Sequence, residues 1–294
     1  MIVHIFNRET VYSHQYLKLL GNYFDVKNEH LFVFRSKKTF KKFDYQTEVS
    51  KKIIYVDSWY KFIFRLYPLL KQCDKIVIHF LSIGPSLFFW FTFSKLLRKA
   101  LWVQWGSDLY FYRRDKTLLK HIYERLRKIV IPKIDSIACI PREDYELTRR
   151  IYKTDAKYFN AFYPNPVGYD KLDFVPNDLT RKKKKKILVG NSANASNNHL
   201  EVLEALKNIP LNNTQIICPL AYGATQGYVN QVVRKGKNYF GEHFIYFLER
   251  QPPDEYIHFL AGIDIAIMNH KRKQGLGTGN LMLYFGKKVF IRNE

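Results

Sequence analysis

The sequence predicts an α/β protein with two similar halves, each built on a parallel β-sheet covered by helices on both faces. Short β-prone apolar runs alternate with segments of helical periodicity along the whole chain. The connections carry no hairpin signal, so the strands are expected to be parallel and joined through helices. A polar stretch with prolines and a run of basic residues, Arg181 to Lys186, separates the halves.

The chain is long enough for two domains of ordinary size, since it has 294 residues. We expect an N-terminal domain over residues 1–162, a linker over residues 163–186 and a C-terminal domain over residues 187–294. Hydrophobic residues at 47% can form real cores, which excludes a disordered chain. Cys73, Cys139 and Cys218 have neither metal-ligand spacing nor a disulfide framework, which favours a reducing cytosol.

The elements of the first half follow from apolar and β-branched runs for strands and from a 3.6-residue apolar period for helices. After the first strand, a loop is expected to carry Ser13 and His14, and residues 35–52 are expected to form a basic, polar crossing. Strands are predicted over residues 2–7, 30–34, 53–56, 75–80, 100–104 and 136–140, and helices over residues 15–20, 59–70, 85–99 and 117–130.

The second half repeats this alternation. Its first helix is expected to have Ser196 or Asn197 as N-cap, because these residues directly precede an apolar helical pattern. Strands are predicted over residues 187–189, 215–219, 243–247, 263–267 and 287–291, helices over residues 200–206, 228–235, 253–261 and 281–285, and a glycine-rich turn over residues 274–280.

The start of the chain does not resemble a signal peptide, because an apolar strand opens it without a preceding basic region. The most apolar run, Leu81 to Leu97, contains Gly84, Pro85 and Lys95 and is too short and interrupted for a spanning helix. We expect a core helix there, with a shallow dip into a membrane as the alternative.

The charge favours an anionic partner. The formal net charge is +22, and residues 1–160 alone hold 30 Lys/Arg against 15 Asp/Glu. Nucleic acid and an acidic membrane face both fit such an excess. The basic face of the helix over residues 59–70 fits either phospholipid or plain solvation. The nucleic-acid alternative requires stacking aromatics among the basic residues, whereas most aromatics here fall in core patterns.

One stretch has the character of a phosphate-binding turn. Ile187 to Val189 form a strand, residues 190–199 are small or carry amides, and a helix follows. Main-chain N–H groups and the start of a helix can hold a diphosphate in such a turn. The alternative is an ordinary, well-capped βα turn. The second glycine-rich turn, Gln274 to Asn280, is no dinucleotide fingerprint, and we expect both turns to face one ligand in a cleft between the domains.

Polar groups also follow three strands of the first half. His14, His79 and the segment Trp105 to Asp108 lie at predicted carboxyl ends of strands. Because ligands of parallel sheets bind beyond these ends, we expect the three to share one functional edge.

These residues resemble a known family, the 4-acetamido-4,6-dideoxygalactose (Fuc4NAc) transferases of enterobacterial common antigen synthesis, glycosyltransferase family 56. The resemblance extends weakly along nearly the whole chain. Its most specific segments are Trp105 to Tyr110, Ile187 to Ser192 with Ser196, Asn197 and His199, Pro219 with Tyr222, and Gln274 to Thr278.

The resemblance implies a GT-B fold, a nucleotide-diphospho-sugar donor (dTDP-linked by preference), a polyprenyl-diphosphate-linked acceptor, inversion of configuration and no metal or other cofactor. It also implies a peripheral protein on the cytoplasmic face of the bacterial inner membrane, and further helical residues beyond the position of Glu294. Two alternatives remain: a basic nucleic-acid-binding protein and a GT-B-like protein without activity.

Sugar transfer needs a general base, and His14 is the first candidate because histidine titrates near neutral pH. Asp108 is the second candidate, as base or as acceptor ligand, and His79 is a weaker third. Trp105 and His79 are expected to contact the acceptor. The residues expected to bind the donor are Gly190, Asn191, Ser192, Ser196, Asn197, His199, Tyr222, Gln274, Gly275, Gly277 and Thr278.

Overall fold

A computed structural model describes residues 1–35, 44–56, 58–81, 84, 86–113, 117–161, 163–164, 184–223 and 226–293. The chain divides into two compact units, Met1–Pro166 and Val167–Glu294. Most of the predicted linker, residues 165–183, lies outside the described residues, and so does the start of the basic run at Arg181.

The first unit contains a sheet of seven parallel strands in the order β3-β2-β1-β4-β5-β6-β7. The strand order reverses at β1: β2 and β3 follow it on one side, and β4 to β7 lie on the other. The strands are β1 (Ile2–Phe6), β2 (His30–Phe34), β3 (Ile53–Tyr55), β4 (Lys75–His79), β5 (Ala100–Val103), β6 (Ser136–Cys139) and β7 (Lys157–Asn160).

Both faces of this sheet are covered. Side chains alternate along a strand, so Val3 and Ile5 join one apolar cluster while Phe6 joins another with Leu17 of the first helix. The helices are α1 (Val11–Tyr23), α2 (Val26–Glu29), α3 (Thr47–Ser50), α4 (Trp59–Lys61), α5 (Tyr67–Gln72), α6 (Ser86–Thr92), α7 (Leu118–Val130) and α8 (Arg142–Tyr152).

The second unit contains five parallel strands in the order β10-β9-β8-β11-β12. Ile187 and Val189 pack into one apolar cluster and Leu188 into the other, again on alternate faces. The elements are β8 (Lys185–Val189), α9 (His199–Leu206), β9 (Thr214–Pro219), α10 (Gln226–Phe240), β10 (Phe244–Phe247), α11 (Pro253–Ala261), β11 (Ile265–Met268), α12 (Leu276–Tyr284) and β12 (Lys288–Ile291). The predicted class of two parallel-sheet α/β domains is confirmed.

Several predicted boundaries are wrong for local reasons. Helix α1 begins at Val11, because Thr10 and Ser13 form a capping box, so His14 is helical and not in a loop. The predicted helix over residues 59–70 is interrupted by a π-helical segment, Phe62–Leu66. Pro68, which follows that segment, has no N–H to give to the carbonyl of Phe64.

The predicted helix over residues 85–99 also divides into two. Helix α6 ends at Thr92, since Phe93 has a ψ of 41°, and a 3₁₀ segment, Ser94–Lys99, follows. Among the described residues, no helix is both long and apolar enough to cross a bilayer.

Candidate functional site

In the second unit, the loop after β8 (residues 190–198) is folded tightly around Gly190. This glycine has a φ of +68°, and a Cβ placed on it would lie 2.7 Å from Asn197 Oδ1 and 2.8 Å from His199 Nε2. A side chain therefore cannot be accommodated without moving one of these groups. The sequence requires glycine here for both its backbone angle and its small size.

Asn197 fixes the shape of this loop from within. The residue is fully buried; its Oδ1 accepts the Asn191 N–H at 3.0 Å, and its Nδ2 donates to Ser192 Oγ at 3.1 Å and to the carbonyl of Asn194 at 2.9 Å. The N–H of Gly190 donates to the carbonyl of Ile267 at 3.0 Å. These main-chain N–H groups are therefore already engaged, which does not support the expectation that they hold a diphosphate.

The N-cap prediction is also wrong. Ser196 and Asn197 belong to a 3₁₀ turn, Ala195–Asn197, and the N-cap of α9 is Asn198 in a left-handed conformation with a φ of +57°. The side chain that organises the 3₁₀ turn is Asn194, whose Oδ1 accepts from the N–H of Ser196 at 3.0 Å and from its hydroxyl at 2.7 Å. Sequence reasoning assigned no role to Asn194.

A second loop, residues 269–275 after β11, is tied to the first. The N–H of Lys271 donates to the carbonyl of Ser196 at 2.8 Å, and the Ser196 hydroxyl contacts Gln274. Gly275 has a φ of +67°, and a Cβ on it would meet His270 and Asn191. Because β8 and β11 are neighbours in the sheet, both loops leave the same edge at the point where the strand order reverses.

The predicted glycine-rich turn proves to be mostly helical. Helix α12 begins at Leu276, so Gly277 and Thr278 lie in its first turn, and Gly275 is an N-cap without a capping side chain. The N–H groups of such a first turn have no partner within the helix. Thr278 Oγ1 lies 3.1 Å from the hydroxyl of Tyr256.

Four buried polar atoms around these loops have no hydrogen-bond partner in the described part of the chain. They are Asn191 Oδ1, His199 Nε2, His270 Nε2 and Gln274 Nε2. Buried polar groups are normally satisfied, so such a concentration indicates that something else completes them. The contacts of Gly190 and Gly275 place His199, His270 and Asn191 next to these two glycines, and Gln274 directly precedes Gly275.

The electrostatics around these two glycines favour an anion. Burial, and then the nearby His270, lower the pKa of His199 to about 4, and burial lowers the pKa of His270 to about 4. Both rings are therefore neutral at pH 7. Positive charge comes from the basic turn of Lys271, Arg272 and Lys273 that precedes Gln274. Sequence reasoning did not single out His270, although it lies two residues after the carboxyl end of β11.

Tyr222, which follows β9, contacts the loop after β8. Its hydroxyl accepts from Asn191 Nδ2 at 3.4 Å, and its carbonyl accepts the N–H of Ala193 at 2.8 Å. The guanidinium of Arg250 lies 4.3 Å from the centre of the Tyr222 ring. All eleven candidate donor residues thus belong to the second unit, and Arg250 is a further cation that sequence reasoning missed.

In the first unit, Asp108 is fully buried and its carboxylate accepts four hydrogen bonds. Oδ2 accepts from the N–H of Leu81 at 3.1 Å and from Trp102 Nε1 at 2.8 Å, and Oδ1 accepts from the N–H groups of Trp105 at 3.0 Å and Leu109 at 3.1 Å. Burial raises the pKa of Asp108, although the Trp102 hydrogen bond and the charge of Arg127 oppose the shift. A carboxylate without exposed surface cannot reach an acceptor, so the geometry does not support Asp108 as base or acceptor ligand.

His79 belongs to a hydrogen-bonded chain of buried imidazoles. His30 Nδ1 lies 2.9 Å from His4 Nε2, His4 Nδ1 lies 3.1 Å from His79 Nε2, and His79 Nδ1 lies 3.0 Å from the Tyr163 hydroxyl. Burial lowers the pKa of His79 to about 3, and burial with the neighbouring imidazoles lowers the pKa of His4 well below its usual value. A base of such low pKa is poorly matched to neutral pH, so this position does not favour His79 as the base.

We expect this row of hydrogen-bonded histidines to make the first unit less stable at acid pH. Because the folded pKa values lie below the unfolded ones, the unfolded state binds more protons as the pH falls below about 6.5, and stability is lost from there toward about pH 3. His4 and His79 should each contribute a slope of about 1.4 kcal/mol per pH unit in this window. All four tryptophans lie in the first unit, so urea unfolding followed by tryptophan fluorescence measures it selectively.

The matched variants for this measurement are His79→Gln, which changes one of the hydrogen-bonded histidines, and His121→Gln, at an exposed position of α7. His79→Gln should make the pH dependence shallower by about one histidine's slope, whereas His121→Gln should leave it unchanged. An unchanged slope in His79→Gln would contradict the assignment.

The two remaining candidates of the first unit are His14 and Trp105. His14 is half-buried in the first turn of α1, with its ring 5.1 Å from that of Tyr45. The Trp105 ring lies 4.5 Å from Tyr163 and 5.4 Å from Tyr12, and its buried Nε1 has no hydrogen-bond partner among the residues described. Within the described ranges, no group of three or more His, Cys, Asp or Glu could hold a metal ion.

Comparisons with known proteins give a family and a fold for the chain. The family model described as "4-alpha-L-fucosyltransferase glycosyl transferase group 56" matches residues 73–294, more than half of the chain. Solved structures match nearly the whole chain at low sequence identity and show the same GT-B fold.

A glycosyltransferase from Rickettsia africae is 15% identical, with a TM-score of 0.61 over 99% of this chain and 79% of that one. A sucrose-phosphate synthase from Thermosynechococcus elongatus is 11% identical, with a TM-score of 0.65 over 99% of this chain and 80% of that one. HepE of Anabaena, solved with UDP and glucose, is 11% identical, with a TM-score of 0.60 over 98% of this chain and 79% of that one.

Proposed function

The chain belongs to glycosyltransferase family 56 and is a glycosyltransferase, and from this premise we propose that it transfers a deoxy sugar from a nucleotide-diphosphate donor to a polyprenyl-diphosphate-linked glycan. The donor we propose is a dTDP-linked sugar of the Fuc4NAc type, transferred with inversion and without a metal. The enzyme would act in surface polysaccharide synthesis as a peripheral protein on the cytoplasmic face of the inner membrane, as the resemblance to the Fuc4NAc transferases implies.

The observation that carries the donor proposal is the group of unsatisfied polar atoms around Gly190 and Gly275. A diphosphate supplies acceptors for the N–H groups of His199, His270 and Gln274, and it is attracted by the first turn of α12. Asn191 Oδ1 is an acceptor and would instead take a hydrogen bond from a sugar hydroxyl. HepE, which has the same fold, was solved with UDP and glucose, and this supports a nucleotide-sugar donor here as well.

The leaving group in this reaction is a nucleoside diphosphate, which needs compensation of its growing negative charge. We assign that role to the N–H groups of Leu276, Gly277 and Thr278 and to the basic turn of residues 271–273. Tyr222, stacked against Arg250, would contact the nucleotide or the sugar. The side chains of Ser192, Ser196 and Asn197 would hold the shape of the loop.

The acceptor hydroxyl must lose a proton as the new bond forms, and we keep His14 as the base. Of the three candidates it alone is half-buried, whereas Asp108 and His79 are buried. Trp105, with an unsatisfied indole N–H, would contact the acceptor glycan.

Thermal unfolding with dTDP, UDP, GDP and CMP tests the donor site. We expect dTDP to raise the unfolding temperature of the wild type, because a ligand at about 100 times its Kd stabilises by about 2.7 kcal/mol. His270→Ala should weaken dTDP binding about tenfold or more, while His258→Ala, exposed on α11, should not. Failure of every nucleotide to bind would reject the donor site, and preference for another nucleotide would correct the donor.

Release of dTDP from a dTDP-sugar in the presence of a lipid-linked acceptor tests the chemistry. His14→Ala should lower kcat by a factor of about 10²–10⁴, the usual contribution of a general base, and leave dTDP binding unchanged. Full activity in His14→Ala would remove His14 from this role. Nucleotide binding without any turnover of candidate donors would favour the inactive GT-B-like alternative.

A further inference from the structure

The helices α4 to α7 form one layer on the first sheet. Phe62, in the π-helical segment after α4, packs on Phe89 of α6 with ring centres 4.6 Å apart, and Phe88 of α6 lies 6.3 Å from Tyr123 of α7. Their inward side chains join the same apolar cluster. These helices are therefore neighbours, and their opposite sides face away from the sheet.

Those opposite sides carry large apolar side chains. Leu118 is 81% exposed and Ile122 41% on α7; Tyr60 is 69% and Phe64 65% exposed beside each other; Phe88 is 44% and Phe91 43% exposed on α6. We call these six residues the outer face. On α7 apolar side chains lie on both sides of the helix, because Leu118 and Ile122 point outward while Val130 is buried on the side that also contains Arg127.

The charge around the outer face has one sign. Residues 58–72, 86–99 and 117–133 together hold eleven Lys/Arg and a single acidic residue, Glu124. Glu124 lies 3.4 Å from the buried guanidinium of Arg127, so its charge is compensated inside the protein. Arg125, Lys128, Arg65 and Lys95 are exposed among the apolar side chains.

A small cavity of about 180 Å³ lies beside the apolar stripe of α7. Lys120, His121, Arg125 and Lys128 line it together with Glu124. Three permanent cations around one cavity fit an anionic group such as a phosphate.

We propose that the outer face docks on the surface of an anionic phospholipid bilayer. The apolar side chains would enter the interface, the basic side chains would contact headgroup phosphates, and the cavity beside α7 would hold one of them. Aromatic and leucine side chains interspersed with Lys and Arg are the composition of helices that lie in this interface.

Other occupants fit less well. Nucleic acid would satisfy the cations but leave six apolar side chains in water. A second copy of the chain would bring two basic surfaces together, which is unfavourable for like charges. The inference rests on the proposed function only in that the acceptor would lie in the same bilayer.

Co-sedimentation with vesicles tests the inference without donor or acceptor, so its failure is distinguishable from failure of the transferase proposal. The full chain should bind vesicles of phosphatidylcholine with phosphatidylglycerol, and bind pure phosphatidylcholine poorly. Arg125→Glu with Lys128→Glu should weaken binding about tenfold or more, since each basic residue near an anionic surface contributes a factor of about five. Leu118→Ser with Ile122→Ser should weaken it about fivefold.

Matched controls lie on α1 and α2 of the same unit. Lys18→Glu with Lys27→Glu reverses two exposed charges there, and Tyr23→Ser removes a side chain that is 77% exposed. Equal losses in these controls, or equal binding to both kinds of vesicle, would overturn the inference. So would displacement from vesicles by an oligonucleotide that binds through Arg125 and Lys128, or a dimer in sedimentation equilibrium that Leu118→Ser dissociates.

Discussion

Replacement of Asp108 by asparagine is expected to lower the free energy of unfolding of the first unit by about 3–5 kcal/mol. The carboxylate is fully buried and accepts from four N–H donors, two on each oxygen. Asparagine offers only one oxygen, so two donors would face an NH₂ group that cannot accept. Each buried donor left without an acceptor costs about 1–3 kcal/mol.

The charge of Asp108 matters as well as its shape. Arg127 is fully buried, donates from Nη2 to the carbonyl of Asp108 at 2.7 Å, and has its guanidinium 5.8 Å from the Trp102 ring centre. A neutral residue at position 108 would leave this cation with less compensation, which adds to the expected loss. Because Trp102 donates to Asp108, tryptophan fluorescence in urea reports the change directly.

The matched control is Asp155→Asn, at an exposed position of the same unit, which should change stability by less than about 0.5 kcal/mol. One result for Asp108→Asn would support the role of Asp108 as base or acceptor ligand that the sequence suggested. If Asp108→Asn folds as stably as the wild type and binds dTDP normally, yet has lost turnover, then Asp108 is a catalytic residue and the structural assignment is wrong.

The catalytic role that the sequence suggested for Asp108 differs from the structural role it has in the fold, and the reason is physical. The segment Trp105 to Asp108 follows a strand, and this placed it correctly at the carboxyl edge of the sheet. Whether its carboxylate points to solvent or inward depends on Leu81, Trp102 and Leu109, which approach it through tertiary contacts. Residue spacing along the chain carries no information about such contacts.

The predicted boundaries of α1 and α12 are wrong at their N-terminal ends. Helix α1 was placed too late, because a Thr–Ser capping box lacks the Glu or Gln of the common pattern. The sequence predicts only the second half of α12 as a helix, because Gly277 and Gly279 in its first half have low helix propensity, which the packing of Leu281 and Met282 overrides.

Helix α8 was missed although its signals were present. Glu143 and Asp144 lie in its first turn and Arg149 and Arg150 in its last, a distribution that favours a helix through its dipole. The segment has few apolar residues, so an apolar period could not reveal it. Strand β7, which pairs with β6 at the end of the described strand order, is mostly exposed, so an apolar pattern does not reveal it either.

In the second unit, the residue pattern locates the two loops but does not predict how their atoms are arranged. Gly190 and the turn at Gly275 were recognised because small residues follow apolar strands. The main-chain N–H groups expected to bind the ligand are instead engaged by Asn197 Oδ1 and by the carbonyl of Ile267. The unsatisfied side-chain atoms come from both loops, and only the pairing of β8 with β11 brings them together.

Gly190→Ala should have the largest effect on the proposed donor site. An added methyl group would lie 2.7 Å from Asn197 Oδ1 and 2.8 Å from His199 Nε2, in a backbone conformation with φ at +68° that alanine disfavours. Since Asn197 holds the loop from inside, its displacement would release Asn191 and Ser192 from their places. We expect about a hundredfold weaker binding of dTDP and a loss of stability of about 2–3 kcal/mol.

Gly241→Ala provides the matched control, because it separates backbone conformation from crowding. Gly241 also has a positive φ, +53°, but nothing lies within 4 Å of a Cβ added there. This variant should lose about 1 kcal/mol of stability from the backbone alone and bind dTDP like the wild type. Isothermal titration with dTDP, together with urea unfolding of each variant, distinguishes the two effects. If both variants bind dTDP equally well, the ligand does not depend on the packing of Gly190 against Asn197 and His199, and the donor site must lie elsewhere in the chain.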